Sequence, residues 1–94
     1  MESSISQPSE PDRRLSATLD PGWRRALGLE LRDRRRASRM TQGELGAPLS
    51  KAFVSAVEHG RTVPSLSALL LMTDRLGVPL ADFFRAVDLR STAT

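Results

Sequence analysis

The groups in this 94-residue sequence that could do chemistry are nearly all basic or hydroxylic. Arg24, Arg25, Arg32, Arg34, Arg35, Arg36, Arg39, Lys51 and Arg61 fall between positions 21 and 61. Only Glu30, Asp33, Glu44 and Glu58 oppose them there. The overall formal charge is +3, but residues 1–20 are net acidic and residues 62–94 are balanced, so the excess is concentrated. A concentrated basic excess raises affinity for a polyanion. The competing reading is a solvated basic helix face. Catalysis and metal binding have little to work with. There is no cysteine, so disulfides and thiolate metal sites are excluded. The one histidine, His59, has no obvious partners for a triad or a metal site, and no glycine-rich phosphate loop occurs. No catalytic residue, no metal and no cofactor is expected, and an enzyme is the disfavoured class.

The elements that must position these groups centre on residues 41–60, TQGELGAPLSKAFVSAVEHG. Thr41 followed by Glu44 three residues later is a capping-box signature that opens a short helix carrying Leu45. Gly46 would let a neighbouring helix approach closely. Pro48 biases Ala47 away from helical dihedrals and ends this helix. Ser50 caps the next helix by accepting from the N–H of Ala52 or Phe53. Val54 and Val57 share its apolar face, while Ala52, Ser55 and Ala56 lie opposite. Gly60 ends it. Two short helices with a tight break make a poor core but a good platform for pressing one helix into a groove.

Around this stretch the chain reads as support. Residues 1–20 are rich in Ser, Pro and charge and are expected to be a disordered tail. Their alternative role is an arm that orders on a polyanion through Arg13 and Arg14. Asp20-Pro21-Gly22 signals a turn, and a helix over 23–37 follows, with Trp23, Leu27 and Leu31 spaced by four and Ala26 beside them. Arg34 stands where that face would next be apolar. It is read as a further anion contact or as a snorkelling side chain. Ser65 caps a helix over 66–76 that Gly77 terminates, with Leu66, Leu69, Leu70, Thr73 and Leu76 at helical spacing. Leu71 and Met72 widen its apolar arc. A last helix covers 80–87, and residues 89–94 are expected to fray. No strand pattern or repeat appears. The expected fold is all-α, a five-helix bundle over residues 21–88.

These residues together resemble the Cro/phage-repressor helix-turn-helix family of bacterial regulators, the xenobiotic-response-element type. The resemblance covers about residues 26–87. It rests on Leu27-Gly28 and Arg35, then Thr41-Gln42 and Glu44-Leu45. Ser50, Val54-Ser55 and Val57-Glu58-x-Gly60 follow, then Pro64-Ser65-Leu66, Leu70 and Leu76-Gly77-Val78. The resemblance implies a five-helix repressor-like bundle whose third helix, residues 50–58, enters the DNA major groove. By the same resemblance, Gln42 meets a phosphate at a helix N-terminus, beside Thr41. Ser50, Lys51, Ala52 and Ala56 take base-reading positions. Lys51 suits guanine O6 and N7, and the two alanines suit a thymine methyl. Ser55 meets a base or a phosphate, and Arg61 a phosphate. Arg35 and Glu58 match a structural ion pair. The chain departs from the family in being two residues shorter between Leu45 and Ser50, without the usual turn glycine, so Ala47-Pro48-Leu49 makes the turn.

The expected protein is thus a sequence-specific transcriptional regulator, a repressor, with double-stranded DNA as partner. One such helix reads few base pairs, so a homodimer is expected. Leu71, Met72, Phe83 and Phe84 are the candidate interface, or else part of the core. The alternative function is an antitoxin or adaptor whose main partner is another protein. No apolar run approaches the roughly 20 residues of a membrane span. A cytoplasmic location is expected.

Overall fold

A computed structural model describes residues 21–92. Residues 1–20 lie outside the described residues, and with them the expected disordered tail and the Arg13–Arg14 arm. Five helices follow one another: α1 Pro21–Ala37, α2 Gln42–Gly46, α3 Lys51–Glu58, α4 Leu66–Leu76 and α5 Leu80–Thr92. Among the described residues there is no strand, and the fold is the all-α bundle expected.

The helix starts follow from local chemistry. Thr41 accepts from the Glu44 N–H at 3.0 Å while the Glu44 carboxylate accepts from the Thr41 N–H at 2.8 Å, a complete capping box. Ser50 accepts from the Phe53 N–H and Ser65 from the Ala68 N–H. Each such cap satisfies a donor that the helix itself leaves unpaired. At the far end of α4, Gly77 takes the left-handed conformation with φ 70°.

The core draws on every helix: Ala26, Leu27 and Leu31 of α1, Leu45 of α2, Val54 and Val57 of α3, Leu69 and Met72 of α4, Phe83 and Val87 of α5. Burying one such large side chain is worth about 1.5–3 kcal/mol. α1 packs on α3 and α5, and α2 packs on α3 and α4. Two glycines set how closely these helices meet. A Cβ at Gly28 would collide with the carbonyl oxygens of Val57 and Glu58, so α1 crosses the C-terminal turn of α3 backbone to backbone. A Cβ at Gly46 would collide with Val54, which is the close approach of α2 to α3 expected of this residue.

Two expectations are corrected and one open alternative is decided. α4 is rotated from the face read from spacing. Leu69, Met72 and Thr73 are buried, whereas Leu66 and Leu70 are exposed. Thr73 can be buried because its hydroxyl donates to the Leu69 carbonyl at 3.0 Å. Met72 and Phe83 are fully buried in the core, so they cannot form a dimer surface. Finally, α5 continues to Thr92, past the point where fraying was expected. Arg90 holds its last turn against α1, reaching Glu30 at 3.0 Å and Asp33 at 2.9 Å. Arg34 also meets Glu30, at 2.6 Å, and so serves this junction.

Candidate nucleic-acid interface

α3 is fastened on its inner side and open on its outer side. Val54, Val57 and Glu58 are buried. Lys51 and Ala52, in its first turn, are exposed, as are Ser50 before it and Arg61 after it. Ser55 and Ala56 are half-buried. The helix therefore presents its N-terminal turn outward and leans on the bundle along its C-terminal half.

The fastening is a three-residue polar cluster. Arg35 of α1 donates through Nε to Glu58 Oε2 at 2.6 Å and through Nη2 to Oε1 at 3.1 Å. Its Nη1 donates to the Met40 carbonyl at 2.9 Å, tying in the loop before α2. The hydrogen bond to Glu58 raises the Arg35 pKa above its ordinary value, against the opposing effect of burial. The guanidinium thus stays charged at any ordinary pH. Gln42 at the start of α2 donates from Nε2 to Glu58 Oε1 at 3.0 Å. One carboxylate therefore joins α1, α2 and α3. The Arg35–Glu58 pair expected from the resemblance is present, and the bond from Gln42 is an addition that spacing did not reveal.

The remaining candidates sit as follows. The hydroxyl oxygens of Thr41 and Ser50 accept capping bonds, and each keeps its O–H as a donor. Ser55 Oγ lies 3.4 Å from His59 Nδ1, and that nitrogen is 2.8 Å from the Ser55 carbonyl. A carbonyl can only accept, so Nδ1 carries the hydrogen and donates to it. Arg61 uses its backbone N–H to close the helix on Ala56 at 2.9 Å, leaving its side chain exposed. Arg24 Nε donates to the Gly60 carbonyl at 3.3 Å, which pins α1 to the far end of α3.

Sequence reasoning missed Arg75. From the last turn of α4 its Nη1 donates to the carbonyls of Glu44, Leu45 and Ala47, across the turn that precedes α3. A basic residue in a last helical turn ordinarily faces its own helix dipole. Nothing local in the sequence marks this one as reaching into another turn. The Ala47–Pro48 peptide within that turn is cis.

Two short helices joined by a tight turn, the second locked from behind and exposed in front, define a helix-turn-helix domain, the class that offers a helix to the DNA major groove. Residues 26–83, more than half of the chain, match the family described as helix-turn-helix domain, and the chain belongs to that family. The match agrees with the Cro/phage-repressor resemblance. No curated protein and no solved structure matches the chain. Among the described residues, no helix is long and apolar enough to cross a membrane. No group of His, Asp or Glu among them is placed to hold a metal ion.

Proposed function

We propose that the protein is a sequence-specific DNA-binding transcriptional regulator, acting as a repressor, that inserts α3 into the major groove. The observation that carries this is the division of α3, with Lys51 and Ala52 exposed while Val54, Val57 and Glu58 are buried. Lys51 reads guanine, Ala52 and Ala56 meet apolar base edges, and Ser50 and Ser55 supply hydroxyl donors. Gln42 uses one amide N–H on Glu58 and keeps a second for a phosphate. Thr41 before α2 and Arg61 after α3 are further phosphate contacts. Selection of duplexes from a random pool, followed by titration over a range of salt, tests the reading. A short selected motif with salt-sensitive binding is expected. Binding to no duplex at any salt sinks it.

A homodimer fits this reading, because one helix reads only part of an operator. The interface proposed for it keeps Phe84 from the residues expected from sequence and leaves out the buried Met72 and Phe83. Val63, Leu66 and Leu70 are exposed, and Val63 and Leu66 border an apolar groove shared with Trp23 and Phe84. That groove is also what favours the second reading, an antitoxin or adaptor bound to another protein. Mass in solution, alone and on a selected duplex, separates a self-paired groove from one that waits for a different partner.

A further inference from the structure

The turn between α2 and α3 leaves backbone carbonyls that its own amides do not satisfy. α2 ends at Gly46, so its last carbonyls need donors from beyond the helix. The Ala47 N–H serves Gly43 at 3.1 Å. In a continuing helix the N–H of residue 48 would serve Glu44, but Pro48 has none. The Leu49 N–H would serve Leu45; it turns instead to Gly46, at 2.6 Å. The carbonyls of Glu44 and Leu45 are left over, and so is that of Ala47. All three lie around a single donor atom, Nη1 of Arg75, and share its two N–H groups, at 3.4 Å for Glu44 and 3.0 Å for Leu45.

We propose that Arg75 is the positioning residue of the recognition helix, doing with one charged nitrogen what a longer turn would do with its own amides. The proposal rests on the DNA-binding reading. Ser50 caps α3 only five residues after Leu45, so the direction in which α3 leaves the turn follows from how the carbonyls of Leu45 and Ala47 are held. Lys51 and Ala52 stand at the start of that helix, where a small change of direction moves them most. Arg75 itself comes from α4, and its Nη1 is engaged with the turn rather than with the outward side of α3. It contributes to sequence discrimination without touching a base.

The test uses the full chain as wild type and as Arg75→Met, Arg75→Ala and Arg75→Lys, at a temperature where thermal melts show each to be folded. Affinity is measured for the selected duplex and for a scrambled one. Methionine keeps the length of the side chain and removes every donor. The expected loss for Met and Ala on the selected duplex is at least about fivefold, the low end of one misplaced base contact. Affinity for the scrambled duplex, set by phosphates, stays near wild type. Lysine keeps a terminal ammonium and restores most of the discrimination. A merely structural role would lower both affinities in step with the folded fraction, and that result overturns the proposal, as does unchanged discrimination in Arg75→Met. Amide hydrogen exchange supplies a readout without DNA. Faster exchange at Ala47 and Leu49 in Arg75→Met, with α1 unchanged, is expected, and unchanged protection there overturns the proposal. If the wild type selects no duplex, the DNA-binding reading fails, and the exchange result alone decides whether Arg75 holds the turn.

Discussion

Arg35 grips both oxygens of Glu58, at 2.6 and 3.1 Å, with the carboxylate almost fully buried and the guanidinium mostly so. Removing either member strands the other. Arg35→Ala leaves a buried carboxylate with only Gln42 to bond it. Loss of one partner from a buried pair costs about 3–5 kcal/mol. Urea denaturation of Arg35→Ala and Glu58→Ala should show losses of this size. The double variant Arg35→Met with Glu58→Leu should recover a good part, because no charge is left without a partner. A loss under about 1 kcal/mol in both single variants, the scale of an exposed pair, would contradict the locking role.

Gly28 and Gly46 should answer differently to the same added methyl group. At Gly28 the obstacle is the backbone of α3 at Val57 and Glu58, which cannot swing aside. Gly28→Ala should cost about 1–3 kcal/mol, and trimming a nearby side chain should not restore it. At Gly46 the obstacle is the Val54 side chain. Gly46→Ala should be destabilising alone, and its cost should shrink in a Val54→Ala background. Equilibrium melts of the two singles and the double give the coupling directly.

Lys51 and Gln42 should fail in distinguishable ways on DNA. Lys51→Ala should relax preference at one base pair, at about 1–3 kcal/mol of discrimination. Gln42→Ala should weaken all sequences alike and leave the salt slope near wild type, because a neutral amide releases no counterion. The Gln42 change also removes a bond to Glu58, so its effect on stability must be measured beside it. Repeating the random-pool selection with each variant reads the first effect, and affinities for selected and scrambled duplexes at one salt concentration read the second. Equal loss on every sequence for Lys51→Ala would take that residue out of base reading.

What the sequence revealed and what it hid divide by distance along the chain. The caps at Thr41, Ser50 and Ser65 are contacts over three residues, and each was visible as a residue pattern. The buried face of α3 was visible because Val54 and Val57 are too regular to mean much else. The Arg35–Glu58 pair, 23 residues apart, entered only through family resemblance. Arg75 on Leu45 spans 30 residues and Arg90 on Glu30 spans 60, and no periodicity encodes either. The same limit explains α4. Its leucine-rich arc is wide enough to allow several rotations, and the choice was made by its packing neighbours and by the hydroxyl of Thr73 closing on its own helix. The end of α5 was hidden because its anchor is an ion pair with α1, whereas fraying is judged from local composition.

Leu66 offers a test of the dimer that leaves the fold alone. The residue is 61% exposed, so a charge there meets water in the monomer and should change stability by no more than about 0.5 kcal/mol. In a self-paired apolar groove the same charge would face the partner copy and be stripped of water, which is costly. Leu66→Glu should therefore melt like wild type and shift the protein toward monomer in sedimentation equilibrium. On a two-half-site duplex it should lose the steepness of binding while keeping its affinity for one half-site. Met72→Glu is the contrasting change, because Met72 is fully buried and a charge there should unfold the domain outright. Unaltered dimerisation in Leu66→Glu would move the interface away from this groove.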